Sequence, residues 1–183
     1  MRFGLVALVV VALAGCGGTT ETTTVTRTEG ETVVVTETRS ETVTETERAA
    51  AGLPDAVAST HAELLSAAES GDYEALRPFP QDRFSYTFGG PAEGGPIAYW
   101  RRLEGESDDR PLEILARLLR LPYTLSRGIY VWPFAYDQSE DDLTAHEREL
   151  LGDLAGSFGE TGYLGWRTGI AADGTWTFFI AGD

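Results

Sequence analysis

The chain has 183 residues and carries 29 acidic side chains against 14 basic ones, a formal net charge of −15, and every one of those basic residues is Arg. A surface this acidic repels phosphate backbones and anionic headgroups, which excludes nucleic acid as a main partner. Cys16 is the only cysteine, so no intrachain disulfide can form and any folded part must be held by its core alone.

Arg2 supplies a short positive start, and Phe3 to Ala14 form an apolar run of 12 residues. That run is too short for a bilayer core about 30 Å thick, which takes roughly 20 helical residues. A short apolar stretch ahead of small residues is the layout of a signal peptide. The tetrapeptide Leu13-Ala14-Gly15-Cys16 resembles the lipobox of bacterial lipoproteins, in which a dedicated peptidase cuts before the Cys once its thiol is acylated. The resemblance implies that residues 1–15 are a cleaved lipoprotein signal peptide and that Cys16 carries lipid. It also implies that the membrane, reached through that lipid, is a partner, and that the mature chain faces outside the cytoplasm. One acyl chain anchors a protein only marginally, whereas two or three hold it stably.

Composition changes after Cys16. Of the 32 residues from Gly17 to Arg48, 13 are Thr and 7 are acidic, and none is aromatic. Segments such as Thr32-Val33-Val34-Val35-Thr36 have strand propensity but little to bury, so residues 16–48 read as a lipidated Cys followed by a disordered, solvated stalk. Residues 49–183 hold all four Trp, all seven Tyr and seven of the eight Phe, with 22 acids against 10 Arg. Their 135 residues suffice for one globular domain with its own core.

In chain order, Pro54 opens a helix to Glu69 with Val57, His61, Leu64, Leu65 and Ala68 on one face, and Gly71 stops it. Asp72 caps a short helix through Tyr73 and Leu76. Phe84, Tyr86 and Phe88 alternate with polar residues as in a half-buried strand, and a Gly- and Pro-rich loop runs from Gly89 to Pro96. Pro96 opens a helix through Tyr99, Trp100 and Leu103, and Pro111 opens another through Leu112, Leu115, Leu118 and Leu119 up to Pro122. Ile129 to Trp132 forms a short strand. Thr144 and Glu147 match a capping box for a helix whose inner face is Leu150, Leu151 and Leu154. Tyr163 to Ile170 and Thr175 to Ile180 flank the turn Ala171-Ala172-Asp173-Gly174, a β-hairpin, and Gly165 and Gly169 mark a bulge or close packing. The expected fold class is α+β: a single compact domain of several helices with a small, largely antiparallel sheet.

The stretch Glu63-Leu64-Leu65 through Gly71-Asp72-Tyr73-Glu74-Ala75-Leu76 resembles the opening helices of nuclear transport factor 2-like domains, which implies a sheet curled around a pocket. The segments Phe84 to Gly90 and Tyr163 to Asp183 are similar to uncharacterised bacterial exported proteins, a resemblance that implies export but no particular activity.

Chemistry narrows by elimination. His146-Glu147 begins like a zinc-protease helix, but Leu150 stands where the second His is needed, and His61 is the only other imidazole. Asp137, Ser139 and Asp141 have the first spacings of a calcium loop, yet Asp142 and Arg148 occupy its Gly and Glu positions, so no metal is expected. Ser157 lies in a half nucleophile-elbow with no His after it, which breaks the hydrolase order. No cofactor motif is present and no catalytic residue stands out. Aromatic residues remain: Trp100, Trp132 and Trp166, with His61 on a helix face, are the candidate ligand-binding side chains, able to stack on sugars or dock an apolar partner. The expectation is an extracytoplasmic lipoprotein with a non-catalytic domain that binds a small molecule, glycan or envelope protein. A small carboxylate-dependent hydrolase or isomerase, or a structural envelope spacer, is the alternative.

Overall fold

A computed structural model describes residues 19–25, 35–41, 52–160 and 162–182. Residues 1–15, expected to be a signal peptide, Cys16, and residues 42–51 lie outside the described residues. The chain divides into two compact units, Met1–Thr44 and Glu45–Asp183.

In the first unit, β1 (Thr19–Val25) pairs antiparallel with β2 (Val35–Glu41), in a register running from Thr19 opposite Glu41 to Val25 opposite Val35. The strand propensity of this Thr- and Val-rich segment is therefore expressed as a ribbon. Two strands alone are marginal in water, because one pairing can hardly offset the ordering entropy of both.

The second unit is α+β. Its helices are α1 (Asp55–Glu69), α2 (Tyr73–Leu76), α3 (Gly95–Glu106), α4 (Pro111–Arg120) and α5 (Ala145–Leu151). Its main sheet is antiparallel, in the order β3 (Thr124–Ser126), β4 (Ile129–Trp132), β7 (Arg167–Ala171) and β8 (Trp176–Ile180). Two short strands, β5 (Phe158–Gly159) and β6 (Gly162–Tyr163), pair separately.

Local chemistry explains most boundaries. Asp72 accepts hydrogen bonds from the amides of Glu74 and Ala75 at 2.9 and 3.2 Å and so starts α2. At α5 the Thr144 hydroxyl accepts from the Glu147 amide while the Glu147 carboxylate accepts from the Thr144 amide, a complete capping box. The β7–β8 turn is closed by the Asp173 carboxylate, which accepts from the Thr175 amide at 2.9 Å. Its tip rests on α1: Thr60 Oγ1 donates to the Gly174 carbonyl at 2.7 Å, and a Cβ on Gly174 would come within 2.8 Å of the Ala56 carbonyl oxygen.

The core lies between the helices and the inner face of the sheet. Val57, His61, Leu64, Leu65 and Ala68 of α1 are all buried, as their spacing predicts. Trp100 of α3 packs at a tilt against Trp176 and Phe179 of β8, with centroids 5.7 and 5.2 Å away. Trp176 Nε1 donates to the buried Thr168 Oγ1 at 2.7 Å, and the Thr168 hydroxyl donates in turn to the Phe178 carbonyl at 2.9 Å.

Four expectations are corrected. Residues 84–88 form no strand. Ser85 alone bridges Phe178 in parallel, Phe88 is 50% exposed, and a Thr87 side-chain bond to the Gly90 carbonyl turns the chain away. The long strand expected from Tyr163 to Ile170 splits at Leu164-Gly165-Trp166. There Leu164 bonds to the Ser157 carbonyl, and its own carbonyl accepts from the Gly182 amide. A register shift does occur between Gly169 and Ile170, where the missing side chain makes room for the Phe178 ring. Leu150 is 38% exposed rather than internal, because the chain tightens into a 3₁₀ turn after Leu151, which keeps Leu154 in line with Leu151 instead. Finally, Thr124–Ser126 is a strand where none is expected. It is joined to β4 by Arg127 and Gly128 at φ of 50° and 82°, values that suit a two-residue hairpin turn.

The buried Trp176–Thr168–Phe178 relay gives a test of the sheet. Thr168→Val keeps the volume but leaves the indole N–H without its acceptor, and it should lower unfolding stability by about 1–3 kcal/mol in a urea titration. An unchanged midpoint would mean that the relay contributes nothing.

Candidate functional site

The structure separates the four candidate ligand-binding side chains from solvent to different degrees. Trp100 and Trp132 are fully buried, His61 is 1% exposed, and Trp166 is half-buried against Phe179 at 4.8 Å. The expectation that Trp100 and Trp132 line a binding surface is therefore corrected. Both rings fill the space between helices and sheet, where their large apolar area is worth most to folding. They serve different parts of the core, Trp100 against Trp176 and Trp132 against His61 and Tyr123. Cys16 lies outside the described residues.

His61 has a structural assignment. Its Nε2 lies 2.8 Å from the carbonyl of Leu119 in the last turn of α4, one of the acceptors that a helix leaves unpaired at its end. A carbonyl can only accept, so Nε2 carries the proton. The ring also packs on Trp132 with centroids 5.2 Å apart. Burial lowers its pKa below the ordinary value, and the bond to Leu119 only partly opposes that. His61 thus ties α1, α4 and β4 together as a neutral side chain and opens into none of the grooves described below.

Other groups suited to proton transfer are few among the described residues. The buried polar side chains are His61 and Thr168, and no carboxylate is buried. Burial pushes Tyr163 up to about 12 and raises Tyr73 as well, so both stay protonated phenols. Glu147 is lowered by its bonds to Thr144 and Asp173 by its bonds to Thr175, which reflects capping and turn geometry. No cluster of three or more His, Cys, Asp or Glu able to hold a metal occurs among the described residues. No described helix is long and apolar enough to cross a membrane.

Among the described residues, several concave features are open grooves. One of about 520 Å³ runs along α1 and α2 between Glu63, Ser66, Asp72 and Phe79. A second, of about 380 Å³, lies beside β3 between Pro122, Thr124, Phe134, Glu147 and Leu150. It shares Gln138 with a third of about 440 Å³ that is walled by Asp137, Asp142 and Glu160. Only three large apolar side chains are strongly exposed among the described residues: Phe88, Leu125 and Leu150. The Arg167 guanidinium covers the Phe88 ring at 5.5 Å. Leu150 lines the groove beside β3, and Leu125, 58% exposed, follows Thr124 of that groove's wall.

This apolar corner was not legible as a site. Leu125 sits in Tyr123-Thr124-Leu125-Ser126, too short a stretch for a periodic signal, and Leu150 reads as core from helical spacing. Only the pairing of β3 at the end of the sheet and the turn after Leu151 bring them to the surface on neighbouring elements.

No protein-family model matches the chain, and neither a curated protein nor a solved structure matches it. The resemblances to bacterial lipoproteins, to nuclear transport factor 2-like domains and to bacterial exported proteins therefore rest on the quoted residues alone.

Because His61 is held neutral, the unfolded chain takes up a proton there at a higher pH than the folded one. Stability is then complete above the ordinary His value of about 6.5 and declines as pH falls below it. Thermal unfolding between pH 7.5 and 5 should show this decline in the parent and a flatter profile in His61→Gln, which keeps an N–H for Leu119 without titrating. Parallel profiles for the two proteins would remove His61 from the account.

Proposed function

We propose that this chain is a precursor lipoprotein, cut before Cys16 and anchored through lipid on that thiol, whose folded unit is a non-catalytic module that docks a protein partner on the outer side of the membrane. The observation that carries the docking reading is two exposed leucines at the β3 end of the sheet, Leu150 in the wall of the groove there and Leu125 on the strand whose Thr124 lines it. Two large apolar side chains left exposed at one end of an otherwise acidic surface offer a partner apolar area to bury. The glycan and small-molecule readings are the less favoured ones. Sugars need open aromatic faces, and of the three candidate indoles Trp100 and Trp132 are filled into the core while Trp166 is half-buried against Phe179. A structural spacer is the second reading, favoured by that same filled core and by the openness of every groove described.

Two measurements test these claims. Intact mass of the full chain recovered from bacterial membranes should show residues 1–15 removed and acyl groups added, and Cys16→Ser should abolish both. Recovery of unmodified full-length chain in the soluble fraction would sink the anchor. For docking, a photo-crosslinking residue placed at Leu125 or Leu150 should capture one recurrent envelope protein that is absent when the same residue replaces Ala98, an exposed position on α3. Equal labelling at all three positions would favour the spacer.

A further inference from the structure

We infer that the outer edge of β3 takes up an extended segment of a partner protein by strand addition, with an apolar residue against Leu125 and basic residues toward Glu147 and the acidic groove beyond it; the inference rests on the docking reading above. Its basis is the hydrogen-bond parity of the sheet. Ser126 faces Ile129 across a two-residue turn, which makes them the bonded pair that closes the hairpin. Bonded and non-bonded pairs alternate along an antiparallel ladder, so Leu125 and Tyr130 form a non-bonded pair. The Leu125 N–H and C=O consequently point away from β4, out of the sheet. The rest of the sheet agrees. Ala171 of β7 donates to the Thr175 carbonyl at 2.8 Å on the β8 side, which leaves its neighbour Ile170 to bond Tyr130 on the other side. β3 is the end strand, and no described residue pairs with its outer edge.

The opposite edge of the same sheet displays the mode of binding. Ser85, in an extended segment, donates its N–H to the Thr177 carbonyl and accepts the Phe179 N–H, both at 3.0 Å, and so adds one residue to β8 in parallel. One residue's donor and acceptor suffice there because the flanking Phe84 and Tyr86 pack into the core. At β3 the geometry is reversed: the sheet offers one residue's donor and acceptor, with Leu125 exposed beside them. Three strand residues cannot hold a partner by backbone bonds alone, so side-chain complementarity must supply the rest. At the Thr124 end lie Leu150, Glu147 and, past Gln138, Asp137, Asp142 and Glu160, while Arg127 marks the turn end. An extended peptide with basic residues at the Thr124 end meets opposite charge there, and this polarity sets which way it lies.

The test uses the full-length protein in detergent micelles and two fluorescent nonapeptides, one alternating Val with Lys and one alternating Val with Glu. Anisotropy should show the Val–Lys peptide binding at least about tenfold more tightly than the Val–Glu peptide, and more weakly as salt rises. Saturating Val–Lys peptide should slow hydrogen exchange at the Leu125 amide. Leu125→Pro removes the outward N–H without touching a hairpin bond and should weaken binding about tenfold. Leu125→Lys serves the same purpose should Pro disturb the fold, and the unfolding midpoint reports which variant is sound. Failure to bind either peptide, equal binding of both, or binding that leaves the Leu125 amide unprotected overturns strand addition. Protection that grows with protein concentration alone would assign the edge to a second copy and overturn it too. Crosslinks from Leu125 and Leu150 to one envelope protein would survive each of those failures, so the docking reading and this inference can fail separately.

Discussion

The contact of Trp100 with Trp176 and Phe179 joins helix to sheet, and the folded unit has no covalent substitute for it. With its single thiol at Cys16, the chain cannot staple its domain by a disulfide. Cohesion must come from buried apolar area, at roughly 25 cal/mol per Å² removed from water. Aromatic rings concentrate that area: Phe84, Trp100, Trp166, Trp176 and Phe179 lie in one contiguous set of ring contacts. The hairpin β7–β8 supplies two of these rings, and its tip is held on α1 through Thr60 and Gly174, so the helices and the sheet constrain each other at both ends.

That demand on the core has a consequence for function. Side chains that sequence chemistry marks as ligand-binding are the same ones a disulfide-free domain needs inside. Trp132 and His61 illustrate the competition: their rings pack together while the imidazole satisfies a helix-end carbonyl, which leaves neither free to meet a ligand. The surface that remains is acidic and mostly polar. Besides Phe88 under Arg167, its departures from that character are Leu125, on the short edge strand that ends the sheet, and Leu150 near it. Natural sheets usually blunt such edges with charge, brevity or proline. Here Pro122 and the Arg127 turn keep β3 short, but Leu125 is placed where a charge would have closed it. A docking site at this corner would leave the core untouched, which suits a module that must be stable without cross-links.

Much of the fold was legible in the residues. The inner face of α1, the Asp72 and Thr144 caps, the proline starts of α3 and α4, and the final hairpin all follow from local chemistry: spacing of apolar residues, a side-chain oxygen near free amides, a glycine able to take a positive φ. Three local misreadings share one cause. Phe84 to Phe88 has strand alternation but finds a ladder partner only at Ser85; Tyr163 to Ile170 is interrupted by bonds to Ser157 and Gly182; Thr124–Ser126 is a strand because β4 lies beside it. Pairing across a sheet depends on which distant segment arrives, and no window of neighbouring residues carries that information.

By itself the sequence determined the composition boundary between a Thr-rich segment and an aromatic-rich one, the α+β class, the helix faces and the absence of a cross-link, because each depends on residue type or on spacing within a few turns. The apolar run ending in Leu13-Ala14-Gly15-Cys16 belongs to the same local kind of signal, and from it the proposed anchor is read. Only the tertiary structure decided which aromatics are core, that His61 is a tie between helices rather than a reacting group, and that Leu125 and Leu150 are exposed, Leu150 in the wall of a groove that Thr124 also lines. Burial and edge position are properties of the whole packed chain: a side chain is inside or outside according to what packs over it, and that cover comes from residues far away in sequence.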